Sequence, residues 1–199
     1  MSTGRTAKVP AKAGNGVDEG GRDAWLALAR QYLIRFGISS VKVERLAKAR
    51  RVTRGGFYWR FKNLDDLLSS LLADWEVNNS SALLQALRKE GTPSERFGRL
   101  VDVLIEEDDY NPAYDLAVRE WALTSKAARA AIVRVDARRI AAIEEMMLDA
   151  GYEPDEARIR ARVTYYHQVG YYAMRENESK EVRRQNAALY RRILTGLRD

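Results

Sequence analysis

The chain contains no cysteine and only one histidine, His167, in 199 residues. The first absence excludes a disulfide framework, thiolate zinc sites and cysteine nucleophiles. The second leaves His167 without a Cys, a second His or a nearby paired carboxylate, so a structural or pocket-lining role suits it better than a metal or acid–base role. A Ser/His/Asp grouping, a phosphate-cradling glycine loop and metal-ligand spacing are also missing, so no catalytic residue, metal or cofactor is expected and the chain does not read as an enzyme. No segment approaches the roughly 18 consecutive apolar residues of a membrane span. The basic N-terminus has no apolar run behind it, so a secretory signal is not expected and the expected location is cytoplasmic.

Charge is present and unevenly placed. Residues 1–62 hold 14 Lys/Arg against 4 Asp/Glu, a balance of +10, whereas residues 63–199 hold 20 against 24, a balance of −4. A basic third on a mildly acidic remainder suggests a polyanion-binding module joined to something else. Residues 1–20, rich in Gly, Ala, Ser and Lys with almost no large apolar residue, read as a disordered basic tail, because burial there cannot offset the ordering entropy.

From Arg22 onward the periodicity is helical. Trp25, Leu26, Ala29, Leu33 and Phe36 recur at three- and four-residue spacing, with Gly37 as a C-terminal cap. Val43, Leu46 and Ala47 mark a second, shorter helix. A long helix is expected from Leu64 to about Leu87, another after the Thr92 or Ser94 cap, and further ones over about 112–123, 126–150, 154–175 and 179–197. Strand-like alternation is absent, so the fold class is all-α with about nine helices. The acidic run EEDDYNP ends one helix and reads as a solvated loop.

The chemistry concentrates in ARRVTRGGFYWRFKN, Ala49 to Asn63, where five basic residues, four aromatics and a Gly-Gly pair share fifteen positions. Three short helices with a tight turn before the last describe a helix-turn-helix unit, whose final helix enters the major groove. Thr53 suits the N-cap and can reach a phosphate. Arg54 can contact phosphate or guanine. Gly55 and Gly56 let the backbone approach DNA closely, at about 1 kcal/mol of helix stability each. Phe57 and Phe61 face inward as clamps, Tyr58 faces out with a hydroxyl for a phosphate, and Arg60 and Lys62 add charge. Trp59 fits a DNA contact and a core edge equally well.

These residues carry a family resemblance. The stretch from Leu46 to Leu68, LAKARRVTRGGFYWRFKNLDDLL, resembles the DNA-binding motif of TetR-type transcriptional regulators, with Leu46, Ala47, Val52, Thr53, Gly55, Tyr58 and Phe61 in register. The likeness is strong over about residues 22–75 and rests beyond them on helix number and order. Three positions depart from the pattern. Arg51 stands where the family's turn has glycine. Val41-Lys42 replaces the Thr/Ser that opens the second helix, which moves the expected cap to Ser40 and a phosphate contact to Lys42. Leu64 replaces a lysine at the start of the fourth helix, so that contact is lost or shifts to Lys62.

The resemblance implies residues 21–67 as a DNA-binding domain and 68–199 as an effector-binding and dimerisation domain. Independently, ARIRARVTYYHQVGYYAM (Ala157–Met174) is apolar or aromatic nearly all round, as for a helix meeting its own core and a partner subunit. Gly170 permits close helix approach, and the last two helices suit an intersubunit four-helix bundle in a twofold homodimer. Trp121, Met146, Tyr165, Tyr166 and His167 are candidate pocket residues for an unidentified small-molecule effector. The leading expectation is a bacterial, nucleoid-associated dimeric repressor that binds a palindromic double-stranded DNA operator and is released by that effector. The alternative is an all-α small-molecule-binding protein or enzyme with an incidental basic face, and a non-specific architectural DNA binder is a third reading.

Overall fold

In the computed structural model, residues 21–176 and 178–197 are described; the tail expected over 1–20 lies outside them. The described residues form ten α-helices and one 3-10 turn, with no strand among them. Helix α1 spans Arg22–Phe36, the 3-10 turn Ile38–Ser40, α2 Val43–Arg50 and α3 Arg54–Tyr58. They are followed by α4 (Leu64–Asn78), α5 (Ser81–Arg88), α6 (Pro93–Glu106), α7 (Pro112–Ala122), α8 (Lys126–Asp149), α9 (Pro154–Ala173) and α10 (Lys180–Thr195).

Two apolar cores organise these helices. The first joins Trp25, Leu33, Leu46, Phe57 and Phe61 of the α1–α3 region to Leu71 and Trp75 of α4, Val118 and Trp121 of α7, and Val135 of α8. The second gathers Leu83 and Leu87 of α5, Phe97 and Leu100 of α6, Met146 and Met147 of α8, and Ala161 and Tyr165 of α9. Helix α8 spans both, its first half in one core and its second half in the other.

Local sequence explains most helix boundaries. Gly37 ends α1 at φ 73°, with its N–H donating to the Leu33 carbonyl. Thr92 starts α6 with a reciprocal capping box to Glu95, which satisfies two otherwise orphaned N–H groups. Asn63 caps α4 by accepting from Asp66 N–H. The helix anticipated from Leu64 to about Leu87 is instead two, broken at Asn79 and Ser80. Both are buried, and Asn79 pairs with Asn111 like a strand edge: Oδ1 accepts the Asn111 N–H at 2.8 Å and Nδ2 donates to its carbonyl at 3.2 Å. The acidic run after α6 is also more than a solvated loop. Glu106 pairs with Lys180 and Arg184, and Glu107 with Arg183 (2.7 Å), which pins α10 against the end of α6.

The turn between α2 and α3 keeps its glycine-like geometry without a glycine. Arg51 sits at φ 56°, ψ 36°, its N–H bonded to the Ala47 and Lys48 carbonyls, while Val52 N–H reaches Ala47 O at 3.1 Å. A side chain in this left-handed region costs about 1–2 kcal/mol. Arg51→Gly is therefore expected to raise stability by about 1 kcal/mol, read as a higher urea midpoint at unchanged slope; a lower midpoint would show that the arginine stabilises the turn by other means.

Candidate nucleic-acid interface and ligand cavity

The helix-turn-helix unit is locked from behind and bare in front. Phe57 and Phe61 are fully buried and stacked at 5.3 Å, and Trp25 meets Phe57 edge-on at 5.3 Å, pair geometries of the favourable aromatic kind. Arg22 fastens the far end. Its guanidinium lies 4.1 Å from the Phe61 ring centroid and donates to the Arg60 carbonyl (2.7 Å), to Asp66 (2.9 Å) and to Ser70 (2.6 Å). The bond from Arg22, followed by the Lys62 N–H, holds the Asp66 carboxyl below its ordinary pKa.

The outward face carries the predicted contact residues. Lys42, Thr53, Arg54, Gly55 and Lys62 are exposed, Gly56 is partly so, Tyr58 is 51% exposed and Trp59 87%. Trp59 therefore covers no core. Thr53 holds the N-cap position of α3 but its side chain makes no capping bond. Arg54 meets Glu44 of α2 at 3.1 Å, an exposed pair that a phosphate can displace at little cost. The glycines are not required by the chain's own packing. A Cβ on Gly55 would meet only Thr53 Oγ1 at 3.5 Å, and one on Gly56 only Val52 at 3.7 Å, both ordinary contacts at ordinary φ.

Ser40 corrects the sequence expectation. It is 1% exposed, and its Oγ lies within donating distance of the Gly37 carbonyl (2.7 Å) and the Tyr32 carbonyl (3.0 Å), so it ties the 3-10 turn to α1. Lys42 occupies the N-cap of α2 with no side-chain cap, and Ser40 is turned into the protein.

Further along the chain, α5, α6, α8, α9 and α10 surround a cavity of about 100 Å³. Its walls are mostly apolar, with Leu83, Leu87, Phe97, Leu104 and Ile143 among them. Tyr165 and His167 line it; Trp121, Met146 and Tyr166 do not. Trp121 belongs to the core shared by α1, α4 and α7, Met146 is buried in the second core, and Tyr166 is exposed on the outer side of α9. Helical phase decides these placements, because adjacent residues on α9 point about 100° apart.

A buried charge cluster absent from the sequence reading sits beside the cavity. Arg139 of α8, part of the cavity wall, donates to Asp115 of α7 (2.9 Å), the Asn79 carbonyl (2.7 Å) and Ser80 Oγ (3.1 Å). Arg119 joins Asp115 (3.0 Å) to Asp136 (2.8 Å), and the Tyr165 hydroxyl donates to Asp136 at 2.6 Å. Burial by itself pushes the Asp115 carboxyl up; Arg139 and Arg119 more than reverse this and leave it below the usual carboxylate range. One sequence signal was available. Arg139 falls in register with Ala128, Ala131, Val135, Ala142 and Met146, a charge on the buried stripe of α8.

Known proteins with similar sequence and fold fit this arrangement. Residues 26–71 match the family described as bacterial regulatory proteins, tetR family. The HTH-type transcriptional regulator AcrR of Shigella flexneri is 39% identical over 56 residues, 28% of this chain and 25% of AcrR, so the match spans about a quarter of that relative. A transcriptional regulator from Saccharomonospora viridis, solved in complex with choline, superposes with a TM-score of 0.71 at 16% identity, covering 85% of this chain and 94% of that one. AibR, solved with isovaleryl coenzyme A and operator DNA, gives 0.67 at 17% identity, covering 84% and 96%. The structural likenesses establish the shared helical fold, and the family match falls on the helix-turn-helix unit itself. Residues 26–71 thus carry the DNA-binding module of the tetR family of bacterial regulatory proteins, on a helical fold that these solved regulators share.

Proposed function

We propose that the protein is a homodimeric, sequence-specific transcriptional repressor, with residues 21–67 reading a palindromic operator and residues 68–199 holding an effector and the dimer contact. The observation that carries this reading is the exposed, side-chain-poor start of α3, which the chain's own packing does not require. Dimerisation is supported by an unpartnered apolar face on the last two helices: Ile159, Val163 and Tyr166 on α9, and Val182, Leu189 and Ile193 on α10, are all exposed. A second copy laid on this face would bury it and present two α3 helices to successive half-sites.

Arg139 supports effector control. Arg139 lines the cavity, and its guanidinium holds Asn79 and Ser80, where α4 leaves the DNA-reading unit's core. A ligand that moves Arg139 would loosen the end of α4, and a coupling of about 1–3 kcal/mol gives a 5–150-fold response. The two neighbours named above were solved in complex with choline and with isovaleryl coenzyme A, which supports a small-molecule ligand without identifying it.

The test is selection of bound sites from a random DNA pool, followed by a metabolite screen for release. Twofold-symmetric sites preferred about 10³-fold or more over unrelated DNA are expected; recovery of no consensus would leave a small-molecule carrier as the better reading. Tyr58→Phe should weaken operator binding by about 1 kcal/mol, roughly fivefold, at unchanged thermal stability and unchanged salt slope, because the neutral phenol donates a hydrogen bond but releases no counterion. Unaltered affinity would remove Tyr58 from the contact set.

A further inference from the structure

Thr164 and Gln168 lie one helical turn apart on α9, and both border the cavity. Thr164 is 5% exposed, and its Oγ1 is buried without a hydrogen-bond partner. Nε2 of Gln168 is likewise buried and unpartnered. Unpaired donors in an apolar wall destabilise a fold, and valine and leucine would fill the same space without that penalty. Two of them at adjacent turns, facing one cavity, point to an acceptor supplied from outside the chain.

The cations on the same wall are already matched. Arg139 pairs with Asp115 and Arg183 with Glu107, while Glu178 accepts from the Tyr171 hydroxyl at 3.1 Å. Desolvation holds His167 below its ordinary pKa, so its ring is neutral at pH 7. A carboxylate entering here would lose hydration and find each cation already paired, and an ammonium has no lone pair to accept from the two donors. The volume, about 100 Å³, is somewhat less than that of an apolar cavity of about 150 Å³ known to hold benzene.

We propose that the cavity binds a small uncharged molecule with a compact apolar body and one oxygen acceptor, which receives hydrogen bonds from Thr164 Oγ1 and Gln168 Nε2. This rests on the reading of the cavity as an effector site but not on how occupancy reaches DNA. Cyclopentanone is the probe, with cyclopentanecarboxylate, cyclopentylammonium and methylcyclopentane as matched controls, titrated calorimetrically against the full chain without DNA. Cyclopentanone should bind at least about tenfold more tightly than cyclopentanecarboxylate, since burying an unpaired charge costs more than one factor of ten in affinity, and more tightly than cyclopentylammonium, which offers the two donors no acceptor.

Thr164→Val should weaken cyclopentanone by about 5–10-fold, leave methylcyclopentane unchanged or tighter, and raise the unliganded Tm by roughly 2–4 °C. Thr164→Ser, which keeps the hydroxyl, should restore cyclopentanone binding. Gln168→Leu makes the same comparison if the valine variant does not fold. Absence of ketone binding, equal affinity for a charged ring, or ketone affinity indifferent to both substitutions would overturn the proposal. Ketone binding that leaves operator affinity unaltered would defeat the release mechanism alone and leave this assignment standing.

Discussion

Gly56→Leu is expected to reduce operator affinity by at least about 100-fold, roughly 2.7 kcal/mol, while leaving the protein folded. The two halves of this expectation have separate causes. Within the chain, a Cβ at Gly56 meets only Val52 at 3.7 Å, and leucine is a better helix former than glycine by about 0.8 kcal/mol. Folding therefore tolerates the substitution. At the groove, under the proposed docking, four added carbons would occupy the space through which the α3 backbone approaches the bases, and that loss would have no compensation. Gly56→Ala, with one added carbon, should fall between wild type and leucine. Fluorescence anisotropy with the selected operator, beside a thermal melt, measures both halves; wild-type affinity in the leucine variant would show that close backbone approach is not used.

Arg139→Met should destabilise the fold by about 2–4 kcal/mol, because it leaves the buried Asp115 carboxylate with Arg119 as its remaining charged partner and frees the Asn79 carbonyl and Ser80 hydroxyl. Replacing both partners tells penalty from benefit. Asp115→Leu combined with Arg139→Met should be much less destabilised than the sum of the single changes, because neither charge is then left alone. Additive losses would mean that the two groups act independently. The pH dependence follows from the Asp115 pKa, which is depressed in the folded state. Its stabilising effect is complete above the unfolded value of about 3.9 and is lost as pH falls through the lower folded value. Acid unfolding below about pH 4 should accordingly be shallower in the double variant than in wild type.

How far the sequence could be read depended on whether a residue's role was local. Phe57 and Phe61, four apart, could be assigned to the core from spacing alone, and both are buried there. Thr92 and Pro93 announced the start of α6, and the Thr92–Glu95 capping box is a three-residue affair. Arg51 was legible as a turn residue because the strain of a left-handed arginine follows from its neighbours along the chain. Ser40 was misread because its hydroxyl answers to carbonyls at Tyr32 and Gly37, and nothing in the local pattern favours that bond over a helix cap.

The sequence by itself determined the all-helical character, the helix-turn-helix unit and the exposed chemistry of Thr53 to Lys62, because each follows from residues within one or two helical turns of one another. Only the tertiary structure decided the break at Asn79, the Asp115–Arg139 clamp and the membership of the cavity wall. Asp115 and Arg139 are 24 residues apart and on different helices, and Thr164 differs from its neighbours only by which way it points. Such roles depend on where helices cross and on the rotation of each about its own axis, and packing of the whole chain fixes both.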